Sequence, residues 1–135
     1  MPELKKYQMF IDGQWVDSDT KKTFETLNPE NNKPWAVVPE ASANDVDRAV
    51  KAAQKAFEGE WPKMLARDRA KYLRAIGNKL RENSELLGKI ETIDTGKLYR
   101  ETYQQAKYIA EYYDYYAGLA DKVEGTVLPI DKPNI

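Results

Sequence analysis

Chemistry in this chain has to start from carboxylates, lysines and tyrosines, because its 135 residues include no cysteine and no histidine. Thiolate and Ser–His–Asp nucleophile arrangements are therefore excluded for the chain itself, as are zinc sites built from thiolate or imidazole. Three groupings remain. Asp94-Thr95-Gly96-Lys97 is the only phosphate-type pattern, but it has a single glycine and follows a helical segment where a phosphate loop would follow a strand. Its spacing reads better as a helix C-cap with a lysine beside the negative end of the helix dipole. Glu111 and Asp114, three apart on a helix, could share a metal ion or a proton, although isolated charge pairs of this kind more commonly face water. The third grouping is aromatic: seven of the nine tyrosines fall between residues 98 and 118. Such a stripe reads first as a core face whose hydroxyls reach the surface or a partner, and second as a binding platform. No GxGxxG, Walker, HExxH or EF-hand pattern occurs.

Composition narrows the partners. The 21 Lys and Arg are interleaved with 22 Asp and Glu for a net charge of −1, with pI about 5.6 and mean hydropathy −0.76. No basic stripe for nucleic acid and no apolar run near the roughly 18 residues of a membrane span is present. Met1-Pro2-Glu3-Leu4-Lys5-Lys6 is not followed by an apolar signal-peptide region, so the expected location is cytoplasmic. The lack of cysteine is equally compatible with an oxidising compartment.

Two kinds of element must position these groups. Residues 7–38 carry hairpin signals: Met9-Phe10-Ile11, the turn dipeptide Asp12-Gly13 and Trp15-Val16 form the first, and Thr23 to Leu27 with Trp35-Ala36-Val37-Val38 the second. From Ser42 the apolar period changes from two to 3.6. Ser42 and Asp45 have capping-box spacing, and Val46, Ala49, Val50, Ala53 and Phe57 fall on one face of a first helix that ends near Gly59 and Pro62. A second helix brings together Leu65, Tyr72, Leu73, Ile76 and Leu80. Asn83-Ser84 restarts a third, with Leu86, Leu87, Ile90 and Ile93 expected inward and Gly96 closing it in the left-handed conformation. The fourth, about 98–118, aligns Tyr99, Tyr103, Ala106, Ile109 or Ala110, Tyr113 and Tyr116 or Ala117. The tail beyond Gly118 turns extended. The expected fold class is thus α+β, with amino-terminal β-hairpins (7–38), about four amphipathic helices (42–118) and an extended tail.

Taken in order, several segments resemble one family. Phe10-Ile11-Asp12-Gly13-Gln14-Trp15-Val16 is similar to the opening hairpin of the aldehyde dehydrogenase superfamily, and Phe24-Glu25-Thr26-Leu27-Asn28-Pro29 to its next strand and NP turn. Residues 39–53 and 66–70 continue the match. Glu91-Thr92-Ile93-Asp94-Thr95-Gly96-Lys97 resembles the family's ETxDxGK signature, and residues 115–122, Tyr-Tyr-Ala-Gly-Leu-Ala-Asp-Lys, lean towards its betaine and amino-aldehyde branches. Leu98-Tyr99 departs from the family, which usually has a proline or small residue after the lysine.

The resemblance implies an amino-terminal segment of an NAD(P)-dependent oxidoreductase that turns an aldehyde into an acid through a cysteine thioester. Residues 1–118 would be the first portion of the NAD(P)-binding α/β domain, and 119–135 the start of an oligomerisation strand. The catalytic cysteine, the general base and the dinucleotide loop of the family have no counterpart here, so no catalytic or cofactor-binding residue transfers, and NAD or NADP is expected only in the longer protein. One site does transfer by resemblance: a potassium or sodium ion between the backbone carbonyl of Leu27 and Asp94, for which oxygen ligands at a helix C-terminus are suitable. The alternative is that Asp94 hydrogen-bonds the backbone of residues 26–28 and ties hairpin to helix. Expected partners are the remainder of the dehydrogenase subunit or a second copy. Two other functions stay open: a stand-alone helical module that binds dehydrogenase-like subunits, and a carboxylate-based hydrolase.

Overall fold

The computed structural model describes residues 4–126. Five strands precede four helices. β2 (Met9–Ile11) and β3 (Gln14–Val16) form the first hairpin across Asp12 and Gly13, whose φ of 50° and 79° are those a tight DG turn demands. β4 (Thr23–Asn28) and β5 (Lys33–Pro39) form the second. Both expected hairpins are present, but they belong to separate sheets. A short strand not foreseen, β1 (Lys5–Lys6), runs parallel to β5 and makes the second sheet three-stranded in the order β1-β5-β4. A two-residue lysine strand carries no alternation, so sequence pattern could not signal it.

The β4–β5 register slips between Thr26, opposite Ala36, and Leu27, opposite Pro34, which leaves Trp35 as the extra residue of a bulge. Bulges re-aim side chains. Here Trp35 turns towards the end of the third helix.

α1 (Ala43–Glu58) begins at Ser42 with the full capping box: the Ser42 hydroxyl accepts from the Asp45 N–H, and the Asp45 carboxylate accepts from the Ser42 N–H. After a 3₁₀ turn at Trp61–Lys63 come α2 (Ala66–Glu82), α3 (Ser84–Thr95) and α4 (Tyr99–Leu119). Gly96 closes α3 at φ 74°, as expected. α4 packs against both α2 and α3.

The packing surfaces are made of small residues. Ala70 and Gly77 on α2, Ser84 and Gly88 on α3, and Thr102, Ala106, Ala110 and Ala117 on α4 are buried. A Cβ on Gly88 would lie 2.9 Å from the Tyr103 backbone, so α3 and α4 approach as closely as backbones allow. Thr102 fills the seam, its hydroxyl 2.9 Å from the Gly88 carbonyl and 2.9 Å from the Thr92 hydroxyl.

Several large apolar residues point elsewhere than expected. Of the four α3 positions read as inward, Ile90 is half-buried while Leu86, Leu87 and Ile93 are exposed. On α4, Ala106, Ala110, Tyr113 and Ala117 do face inward, but five of its seven tyrosines, Tyr99, Tyr108, Tyr112, Tyr115 and Tyr116, are exposed. The α1 face is bare: Val46, Val50 and Phe57 are 54%, 61% and 66% exposed. Periodicity marks which residues share a face; it does not mark which face the neighbouring element covers.

Candidate functional site

Asp94 lies in the last turn of α3 and joins the helical part to the second hairpin. Its Oδ1 accepts from the Thr26 hydroxyl at 2.6 Å and from the Trp35 indole N–H at 3.3 Å. The tie runs through these two side chains and not through the residue 26–28 backbone, which corrects the hydrogen-bonding alternative read from the sequence. The bulge explains the difference, since it is what brings Trp35 round to Asp94. A half-buried indole N–H usually finds an acceptor, and that tendency is the one available signal for Trp35. Pro29, in the turn after β4, packs against Gly96, where a Cβ would come within 3.0 Å of its Cγ.

Leu27 sits beside this junction, paired across the ladder with Pro34, which has no N–H to donate. The Asp94 carboxylate therefore stands at the carbonyl-rich end of α3 next to an interrupted stretch of strand, a surrounding that favours positive charge. Among the described residues, no group of three His, Cys, Asp or Glu converges as a metal site.

The other candidates separate. Lys97 pairs with Glu91 at 2.7 Å, and the turn at residues 94–97 closes a helix C-terminus, where carbonyl oxygens repel phosphate. Residues 94–97 thus do not fit a nicotinamide pyrophosphate, and among the described residues no helix opens with a glycine-rich turn. Asp114 pairs with Arg81 on α2, while Glu111 stays on the outer face of α4, so the two do not act as one site.

A second polar node was only half legible. Asp45, read as a capping residue, is 1% exposed and also accepts from the Ser18 hydroxyl at 2.9 Å, the Asp19 N–H at 3.3 Å and Arg48 at 2.5 Å. It fastens the loop after β3 to α1. The Ser42 N–H above all, followed by Arg48 and Ser18, holds its carboxyl well below the usual carboxylate range against the opposing effect of burial. The role is structural: every oxygen of Asp45 is engaged within the chain.

Residues 15–135 match the aldehyde dehydrogenase family. The chain is 41% identical over 133 residues to the (Z)-2-((N-methylformamido)methylene)-5-hydroxybutyrolactone dehydrogenase of Acinetobacter baylyi, covering 98% of this chain and 27% of that protein. It is 43% identical over 131 residues to a mitochondrial aldehyde dehydrogenase of Arabidopsis thaliana, family 2 member B4, covering 96% and 24%. Among solved structures, the betaine aldehyde dehydrogenase of Staphylococcus aureus in complex with NAD+ superposes with a TM-score of 0.86 at 41% identity, over 94% of this chain and 25% of that one. An aldehyde dehydrogenase of Bacillus cereus gives 0.88 at 39% identity, over 95% and 26%. The strands and helices are thus those of a dehydrogenase amino-terminal segment, and the chain belongs to the aldehyde dehydrogenase family. It spans about a quarter of the length of the relatives it matches.

Proposed function

We propose that this chain is the amino-terminal part of an NAD(P)-dependent aldehyde dehydrogenase and that it serves as the scaffold on which the rest of the subunit folds. Residues 1–118 would form the first portion of the nicotinamide-binding domain and residues 119–135 the start of an oligomerisation strand. The reaction proposed for the longer protein is oxidation of an aldehyde to a carboxylic acid through a cysteine thioester, with NAD or NADP taking the hydride. The chain itself has no thiol to begin that reaction. A cytoplasmic setting is part of the same proposal.

The observation that carries this reading is the bare face of α1. Val46, Val50 and Phe57 align at helical spacing in a segment that matches the family, yet among the described residues no element covers them. A face so apolar is stable only against another protein surface, and the remainder of the subunit is the surface that the family relationship supplies. From the family resemblance we also propose that Asp94 and the Leu27 carbonyl hold a potassium or sodium ion completed by residues of the longer protein.

A chimera tests the proposal. Residues 15–126 are placed in the Staphylococcus aureus betaine aldehyde dehydrogenase in place of its own matching segment, and formation of reduced nicotinamide is followed spectroscopically. An active, soluble chimera that loses both properties on Val50→Asp with Phe57→Asp is expected. A chimera that is soluble but inactive, or one indifferent to the double substitution, would count against it.

A further inference from the structure

The loop between β3 and β4 is fixed at both ends. The Ser18 hydroxyl and the Asp19 N–H donate to Asp45 at 2.9 and 3.3 Å, and the Glu40 N–H donates to the Lys22 carbonyl at 3.0 Å. Within the loop the Lys21 N–H closes a turn on the Ser18 carbonyl at 3.0 Å, and Lys21 itself is held at a φ of 57°. A left-handed lysine is uncommon, since a side chain crowds the backbone there. Such a conformation persists where surrounding contacts fix it. The loop therefore presents two consecutive lysines from a set position. Facing it is the three-stranded sheet. Lys6 on β1 stands across the ladder from Val37 on β5, and Pro39, two residues further along β5, stands across from Thr23 on β4. Strand alternation places these four residues on one face. Between that face and the loop lies a cleft of about 480 Å3, within the size range of small-molecule sites.

Lys6, Lys21 and Lys22 line this cleft together with one carboxylate, Asp17. Both oxygens of Asp17 are engaged within the chain, one by the Gln8 amide at 2.9 Å and the other by Lys21 at 3.6 Å. Lys22 has no acidic partner among the described residues. Glu25, opposite Val37 on the ladder, does not line the cleft. The lining is thus positive in a chain whose net charge is −1. Lysine ammoniums contributed by a strand on one side and a loop on the other suit a compact dianion, for which lysine acts as a point charge. The Thr23 hydroxyl adds a neutral donor, and Val37 and Pro39 offer apolar surface for a short carbon skeleton. A nucleic acid would need basic residues continuing beyond the cleft, whereas the charges of the chain are interleaved.

We propose that the cleft between β1 and the loop after β3 binds the phosphate group of a small phosphomonoester. The site uses only residues 6–39 of this chain and does not depend on the dehydrogenase reading.

The test is an amide NMR titration of the whole 135-residue chain at low ionic strength, where screening of exposed charges is least. The probes are glycerol 3-phosphate and, separately, glycerol and acetate. Glycerol 3-phosphate is expected to shift the amides of Lys6, Gln8 and residues 21–23 saturably, and glycerol to leave them in place. Acetate, a monoanion, should bind about threefold or more weaker, the size of one part-exposed ion pair. Lys22→Gln should weaken glycerol 3-phosphate by a similar factor, and Lys22→Arg should retain it. Lys51→Gln makes the same change of charge on α1, outside the cleft, and should leave binding unchanged. Should Lys22→Gln fail to fold by circular dichroism, the comparison with acetate still decides. Shifts that do not saturate, equal affinity for acetate, or equal weakening by Lys22→Gln and Lys51→Gln would overturn the proposal.

Discussion

Two carboxylates hold the sheets to the helices, and they differ in how much each is worth. Asp45 is buried and takes hydrogen bonds from Ser42, Ser18, Asp19 and Arg48. A carboxyl whose folded-state pKa is depressed contributes stability that is fully present above its unfolded value near 4 and is lost as pH falls towards the folded one. We therefore expect Asp45→Asn to melt at a distinctly lower temperature at pH 7 and to lose less than the parent between pH 5 and 3, as followed by circular dichroism. Parallel acid limbs in the two proteins would refute that role. Asp94 is solvent-exposed and accepts from two neutral donors, Thr26 and Trp35. Removing such bonds costs about 0.5–1.5 kcal/mol, so Asp94→Ala should lower the melting temperature by a few degrees while Glu82→Ala does not. Potassium-dependent melting that disappears in Asp94→Ala would support the cation proposed with Leu27, and a potassium response surviving in the variant would remove it.

At the scale of elements, stability rests on how closely α4 approaches α2 and α3. Gly88 has the Tyr103 backbone on its open side at 2.9 Å, whereas Gly118, also helical, has nothing within 4 Å of where a Cβ would stand. Alanine is worth up to about 1 kcal/mol over glycine in a helix. Forcing two backbones apart costs about 1–3 kcal/mol. Gly88→Ala should therefore lower the melting temperature and Gly118→Ala raise it, and a rise for both would mean that α3 and α4 are less tightly apposed than the structure has them. The sequence announced the elements well: the DG hairpin, the Ser42–Asp45 capping box, the restart at Asn83 and the left-handed Gly96 all depend on neighbouring residues and fall where local chemistry puts them. It did not announce the packing. The core is built from Ala, Gly, Ser and Thr, which give little hydropathy signal, so periodicity points instead to Leu86, Leu87 and Ile93. At the Asp94 junction the resemblance supplied Leu27 and Asp94, but Thr26 and Trp35 depend on a bulge between strands and stayed invisible.

For the molecule as a whole, the decisive quantity is surface. The chain exposes 10935 Å2, about half as much again as the roughly 7,200 Å2 expected of a compact monomer of this mass. Two apolar faces are prominent: Val46, Val50 and Phe57 on α1, and Tyr72, Ile76 and Leu87 across α2 and α3, where a groove of about 460 Å3 also takes in Leu80. Covering about 400 Å2 of apolar surface is worth on the order of 10 kcal/mol gross, against association costs of about 4–15 kcal/mol. One face alone is marginal, and the two together favour association. Where the rest of a subunit is not there to cover them, we expect the chain to form dimers or larger assemblies at micromolar concentration in sedimentation velocity. The oligomerisation strand that the resemblance implies at 119–135 lies, past residue 126, outside the described residues. Besides the exposed tyrosines of α4, the bare faces of α1 and α2 are available for such contacts. Val50→Asp with Phe57→Asp should shift the population towards monomer without loss of helical signal, because neither side chain supports the α2–α3–α4 core. A parent chain that sediments as a monodisperse monomer and binds no hydrophobic dye would show that these faces are tolerated in water, and would remove the main reason for regarding α1 as a docking surface.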